Sequence, residues 1–279
     1  MSEWSKGVVE ANGLEVFYHR SGAGSRKPSI VLLHGYTDNG LCWLRMARDL
    51  EDSFDVIMPD ARGHGRTRGP VKDLGVKLLA DDVAAIIREL GLEKPFVFGH
   101  SMGAQTALAV SAEYPELVRA TLLEDPVFLP DPLPAIAQED IQRRHDQAKQ
   151  MIAFHDLPLE ERLAKGRADN PNWAEDELYP WAESHGEYSP DIATQGIGIA
   201  TYSWREAIKK VECPILLITA DHTKGAIVSP EVAQEAVGLA KRCEVAYISG
   251  AAHCIHRDRY AETLQSVMDF LQRVMRVGP

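Results

Sequence analysis

A serine held between small residues, Gly99-His100-Ser101-Met102-Gly103, is where residue types and spacing in this 279-residue chain first suggest chemistry. The apolar run Phe96-Val97-Phe98 precedes it, and an alanine-rich stretch with Ala104, Ala107, Leu108 and Val110 follows. A strand that turns sharply into a helix leaves no room beside the turn, so small residues must flank the serine. Such a turn lifts the Ser101 hydroxyl clear of a sheet and aims a helix N-terminus at developing negative charge. The expected chemistry is nucleophilic attack on an acyl carbon. Acyl transfer also needs two backbone N–H groups on the oxyanion, one from the residue after the nucleophile and one from a neighbouring strand's exit loop. Met102 and Tyr36 are the candidates, Tyr36 lying in His34-Gly35-Tyr36-Thr37-Asp38 after Ile30-Val31-Leu32-Leu33. His34 itself reads as a satisfied structural histidine.

The elements that must position these residues alternate. Leu14 to Tyr18 alternates apolar and polar residues like a half-exposed strand. Ser29 to Leu33 and Phe54 to Met58 are apolar runs, as are Phe96 to Phe98, Thr121 to Leu123, Pro214 to Thr219 and Val245 to Ile248. Runs of this kind suit strands covered on both faces. Between them, Leu78, Leu79, Val83, Ile86, Ile87 and Leu90 recur at helical spacing, with Gly91 placed as the stop, and a last helix is expected at about Tyr260 to Val274. The pattern argues for a mainly parallel sheet with helices on both faces. It breaks between Pro126 and Val211, a proline-led, then helical and charged region that holds Trp173, Trp181 and Trp204. Those tryptophans and Tyr202 are candidates to shape a pocket, or to fill a core.

The bulk composition narrows the partners. With 30 basic and 41 acidic side chains the net charge is −11, which repels phosphate backbones and anionic membranes. Nucleic acid and membrane are therefore not expected partners. Met1 to Lys6 shows no signal-peptide pattern, and no apolar stretch reaches the ~20 residues that span a bilayer. Cys42, Cys213, Cys243 and Cys254 are scattered, as expected of free thiols in a reducing cytoplasm. The histidines show no shared metal-ligand spacing, so neither metal nor cofactor is expected.

Taken in order, the motifs resemble the α/β-hydrolase family. The resemblance rests on His34-Gly35 with Trp43 beyond it, Pro59-Asp60-Ala61-Arg62-Gly63-His64-Gly65, Gly99 to Gly103, and Gly250-Ala251-Ala252-His253. It spans nearly the whole chain apart from the helical region. It implies a mostly parallel eight-stranded sheet with helices on both faces and a lid inserted after strand 6. The core would be residues 1–125 and 212–279, and the helical lid 126–211. Asp60 to Gly65 is scaffold in such proteins, and Thr67 stands where many relatives carry serine. His253 falls on the family's histidine, whose task is to take the serine's proton and return it to the leaving group. A loop position before the final helix suits that task, and the glycine and alanine lead-in favours His253 over His256. Most relatives carry the orienting acid after strand 7, where this chain has Thr223, with Asp221 two residues early. Others take it from the end of strand 6, here Asp125 in Leu123-Glu124-Asp125-Pro126. Asp125 is the expected acid, followed by Asp221 and then Glu124.

The expected activity is hydrolysis of a carboxylic ester or lactone through an acyl-enzyme, the long helical region suggesting an enclosed site for a medium-sized, partly apolar molecule. An amidase, a carbon–carbon bond hydrolase or an acyltransferase could use the same scaffold. A ligand-binding protein without turnover is the reading that the missing aspartate at Thr223 favours.

Overall fold

Runs that are apolar at every position must be buried on both sides, and in the computed structural model they form the middle of one sheet. The structure describes residues 4–72, 74–130, 138–195 and 201–277. The strands are β1 (Ser5–Ala11), β2 (Leu14–Arg20), β3 (Ser29–Leu33), β4 (Asp55–Pro59), β5 (Phe96–His100), β6 (Ala120–Glu124), β7 (Ile215–Ala220) and β8 (Cys243–Ile248). They make an eight-stranded sheet in the order β1-β2-β4-β3-β5-β6-β7-β8. The sheet is parallel from β4 to β8, while β2 runs antiparallel to both β1 and β4.

The helices are α1 (Leu44–Leu50), α2 (Val76–Glu89), α3 (Met102–Glu113), α4 (Gln138–His155), α5 (Leu159–Asp169), α6 (Glu175–Ser184), α7 (Pro190–Gln195), α8 (Trp204–Lys210), α9 (Pro230–Leu239), α10 (Ile255–Asp258) and α11 (Tyr260–Val277). Successive strand residues face opposite sides, so Val31, Leu123 and Leu217 enter one core and Leu32, Leu122 and Leu216 the other. The first core is closed by α2, α3, α8 and α9, the second by α1 and α11. Each side chain buried this fully contributes about 1.5–3 kcal/mol over an exposed one, which fixes the register of every central strand.

α4 to α8 lie between β6 and β7 in the chain. Of these, α8 packs on α3 within the first core, and the other four form a helical insertion. The strand ends that lead to Tyr36, Ser101, Asp125 and His253 all meet at one edge of the sheet. In open parallel sheets the carboxyl edge is where ligands bind.

Candidate active site

Ser101 sits where β5 breaks into α3, at φ 53° and ψ −113°, a conformation that costs a non-glycine residue about 1–3 kcal/mol. Its N–H donates to the Glu124 carbonyl at 2.9 Å, which ties the strained residue to β6. The two flanking glycines have a steric cause. A Cβ on Gly99 would lie 2.1 Å from the Gly103 carbonyl oxygen, and one on Gly103 would lie 2.0 Å from that of Leu33. Met102 is the first residue of α3, so its N–H has no acceptor inside the helix and lies at the positive end of the macrodipole.

The Tyr36 loop is held from several sides. The Tyr36 carbonyl accepts from His64 Nε2 at 2.5 Å, and its hydroxyl donates to the Ile192 carbonyl of α7 at 2.5 Å. His34 bonds the Gly35 carbonyl through Nδ1 at 2.8 Å and accepts the Ala61 N–H at Nε2, 2.9 Å away. Burial pushes its pKa down to about 3, so it is a neutral tie between two loops. Asp38 pairs with Arg257 at 2.9 Å, with both side chains buried. That cation holds Asp38 well below the usual carboxylate range, against the opposing effect of burial.

Asp125 lies one residue past β6, fully buried, with φ at 43°. Its carboxylate accepts the N–H groups of Ile227 and Val228 at 2.8–3.0 Å, and its Oδ2 lies 2.6 Å from His253 Nδ1. The acid can only accept there, so the proton sits on Nδ1 and His253 Nε2 is left as the basic nitrogen. Asp221 has other work. It caps a short 3₁₀ turn by accepting the Thr223 N–H at 3.1 Å and the Thr223 hydroxyl at 2.6 Å. Glu124 takes a second histidine, with His256 Nδ1 at 2.8 Å and the His256 N–H at 2.9 Å from Oε1. Burial alone would raise the Glu124 pKa, but the charge and bonds of His256 bring it down to about 2.

Sequence reasoning did not single out His100, Arg257 or Asp258, which all bear on the His253 loop. His100 Nε2 donates to the His253 carbonyl at 3.1 Å, and the two rings lie 4.7 Å apart. Nothing in local pattern marks these three, because His100 meets His253, Arg257 meets Asp38 and Asp258 meets Trp173, all of them partners 85 or more positions away. The aromatic candidates divide. Trp204 stacks on Phe128 at 4.2 Å and belongs to the core, and the Tyr202 hydroxyl lies 3.5 Å from Glu113 at the far end of α3. Trp173 and Trp181 meet edge to face at 6.0 Å in the insertion, where Trp181 continues to His185 at 4.4 Å. Among the described residues, no group of three or more His, Cys, Asp or Glu side chains is placed to hold a metal ion, and no helix is long and apolar enough to cross a membrane.

A sharp serine turn, a buried carboxylate on a loop histidine and a helix N-terminus beside them, all on one sheet edge, are a family's arrangement. The model of the alpha/beta hydrolase family matches residues 30–265. The chain belongs to the alpha/beta hydrolase family. As a member it is a hydrolase, and similar proteins carry hydrolase names. It is 28% identical over 278 residues to N-formylmaleamate deformylase of Pseudomonas putida, covering 95% of this chain and 96% of the relative. It is 27% identical over 231 residues to a bifunctional esterase/perhydrolase of Acinetobacter calcoaceticus, covering 76% and 79% of the two chains. The crystal structure of E-2-(acetamidomethylene)succinate hydrolase superposes with a TM-score of 0.80 at 23% identity, covering 97% of this hydrolase and all of the other chain (100%).

Proposed function

We propose that this hydrolase cleaves a small carboxylic ester or lactone through an acyl-enzyme on Ser101. The observation that carries the reading is the 2.6 Å contact between Asp125 Oδ2 and His253 Nδ1, which leaves Nε2 basic at the edge where Ser101 stands. His253 Nε2 takes the Ser101 proton as Oγ bonds the acyl carbon. The carbonyl electrons move onto oxygen, where the Met102 and Tyr36 N–H groups meet them. Collapse of that intermediate breaks the acyl–oxygen bond, and the proton on His253 passes to the departing alcohol. Water then repeats the sequence on the acyl-enzyme, releases the acid and restores Ser101. Asp125 keeps its charge throughout, orienting the imidazole and stabilising its cationic form. Residues 1–125 and 212–279 act as the core in this scheme, joined by Phe128 and α8 from the 126–211 insertion. Helices α4 to α7 of that insertion act as a lid that sets which acyl groups enter.

A second reading, cleavage of an N-acyl amide, is favoured by the names of two relatives, which carry N-formyl and acetamido groups. Both chemistries use the same nucleophile and base. They differ in the leaving group, an amine needing its proton earlier than an alcohol does.

The test is turnover of p-nitrophenyl esters and matched N-acyl amides. Ser101→Ala should abolish it, Asp125→Asn should cut it by about 10²–10⁴-fold, and Asp221→Asn should leave it close to wild type. Loss in Asp221→Asn with Asp125→Asn intact would move the orienting acid to the end of β7. Amide turnover exceeding that of esters of the same acyl group would favour the second reading.

A further inference from the structure

Residues 251–254 belong to neither strand nor helix, so what grips this stretch from outside sets where the His253 ring stands. From the end of β6, Asp125 holds the His253 ring and Glu124 holds His256 just beyond the stretch. A third carboxylate comes from α10. Asp258 Oδ2 accepts the Ala252 N–H at 2.7 Å, and its Oδ1 accepts the indole N–H of Trp173 at 2.7 Å. One carboxylate thus joins the residue next to His253 to the helical insertion. Arg257 beside it adds to the link, its guanidinium 5.0 Å from the Trp173 ring centre and its Nε 3.8 Å from Glu177 of α6.

Bonds from a neutral donor to a carboxylate are stronger than those to a neutral acceptor. Those two bonds also fix different things. The Ala252 bond alone would hold only the loop, and any acceptor in that place could serve. The Trp173 bond makes the loop's position depend on where the insertion sits. We infer that Asp258 is a positioning residue for His253, and that through Trp173 the insertion keeps the base aligned with Ser101. The inference rests on the reading of His253 as base to Ser101.

Trp173→Phe deletes the N–H and leaves a ring for Arg257 and Trp181. With p-nitrophenyl acetate it should lower kcat about tenfold with KM within about twofold of wild type, since small misplacements of a reacting group act on the chemical step. Asp258→Asn, which can keep only one of the two acceptor roles, should lower kcat further, about 100-fold. In both variants the downfield proton resonance of His253 Nδ1–H should move, a signal that loss of stability alone would not shift in the folded protein. Unchanged kcat and an unchanged resonance in folded Trp173→Phe would overturn the inference, as would a loss confined to KM. Should Asp258→Asn fail to fold, Trp173→Phe decides alone. Fluorophosphonate labelling of Ser101 separates the two levels. A wild type that neither labels nor turns over defeats the hydrolytic reading and this one with it. A wild type that labels, with variants labelling at the same rate, defeats the positioning role alone.

Discussion

Ser101 is held at φ 53° by the turn it occupies, and that strain is stored in the folded state. Glycine adopts positive φ without the Cβ penalty, although its unfolded chain has more freedom to lose. Ser101→Gly is therefore expected to be more stable than Ser101→Ala by about 1 kcal/mol, read as the difference in chemical denaturation midpoints at equal slope. Equal midpoints would mean that the surroundings, not the turn, carry the strain. The serine was legible from sequence because much of its constraint is local: Gly99 is needed by a clash with Gly103 that the strand–turn–helix pattern already implies, although Gly103 answers to Leu33 of the neighbouring β3. Choosing between Asp125 and Asp221 was a different problem. Both follow apolar strands, and which carboxylate meets His253 depends on a contact across 128 positions of sequence. Asp258 is less legible still, since an aspartate ending a short helix carries no mark of an indole 85 positions away.

Elements show the same division. The central strands and α2, α3 and α11 stand in the sequence as runs and periods. β1 does not, although Asn12-Gly13, both at positive φ, forms the tight turn that pairs it with β2 and is a strong hairpin signal. The arrangement of the insertion is not periodic information at all, and a single side chain accounts for much of it. Arg162, buried in α5, donates to the carbonyls of His155 at 2.7 Å, Leu157 at 2.6 Å and Ala182 at 2.7 Å. It thereby satisfies the end of α4 and binds α4, α5 and α6 together. Arg162→Met leaves three carbonyls unpaired and should destabilise this unit by about 2–4 kcal/mol. Arg162→Lys should recover only part, because an ammonium cannot span the fork that a guanidinium fills. Hydrogen exchange should show lost protection in α4 to α6 with β5 and β6 unchanged. Equal loss in the sheet would mean that the insertion and core unfold as one.

At the scale of the whole molecule, three buried histidines make stability depend on pH. Burial lowers His19 to about 4 and His34 and His100 to about 3, from an ordinary 6.5. The folded protein keeps them neutral while the unfolded chain protonates them. Their contribution is complete above pH 6.5 and is lost progressively as pH falls from there towards 3. Each removes up to about 1.4 kcal/mol per pH unit in that window. Asp60 works in the opposite sense. Burial raises it to about 6 from 3.8, so in that interval the folded state binds a proton that the unfolded chain does not, offsetting one histidine. The net −11 charge also eases on acidification, a gain that ~0.1 M salt largely screens in advance. For these four groups the balance is about two protons, or roughly 2.7 kcal/mol per pH unit between pH 6 and 5. His64 and His185, also lowered by burial, act in the same direction as the three histidines. Glu124 joins only later, as pH falls from its unfolded value of 4.5 towards about 2. Against a typical total of about 5–15 kcal/mol, losses of this size should bring a steep fall in Tm between pH 6.5 and 5, above the ordinary carboxylate range in which Glu124 contributes. Calorimetry from pH 7.5 to 4.5 in 0.1 M salt would show it, and a flat Tm down to pH 5 would mean that the buried histidines are hydrated enough to titrate normally in the folded state.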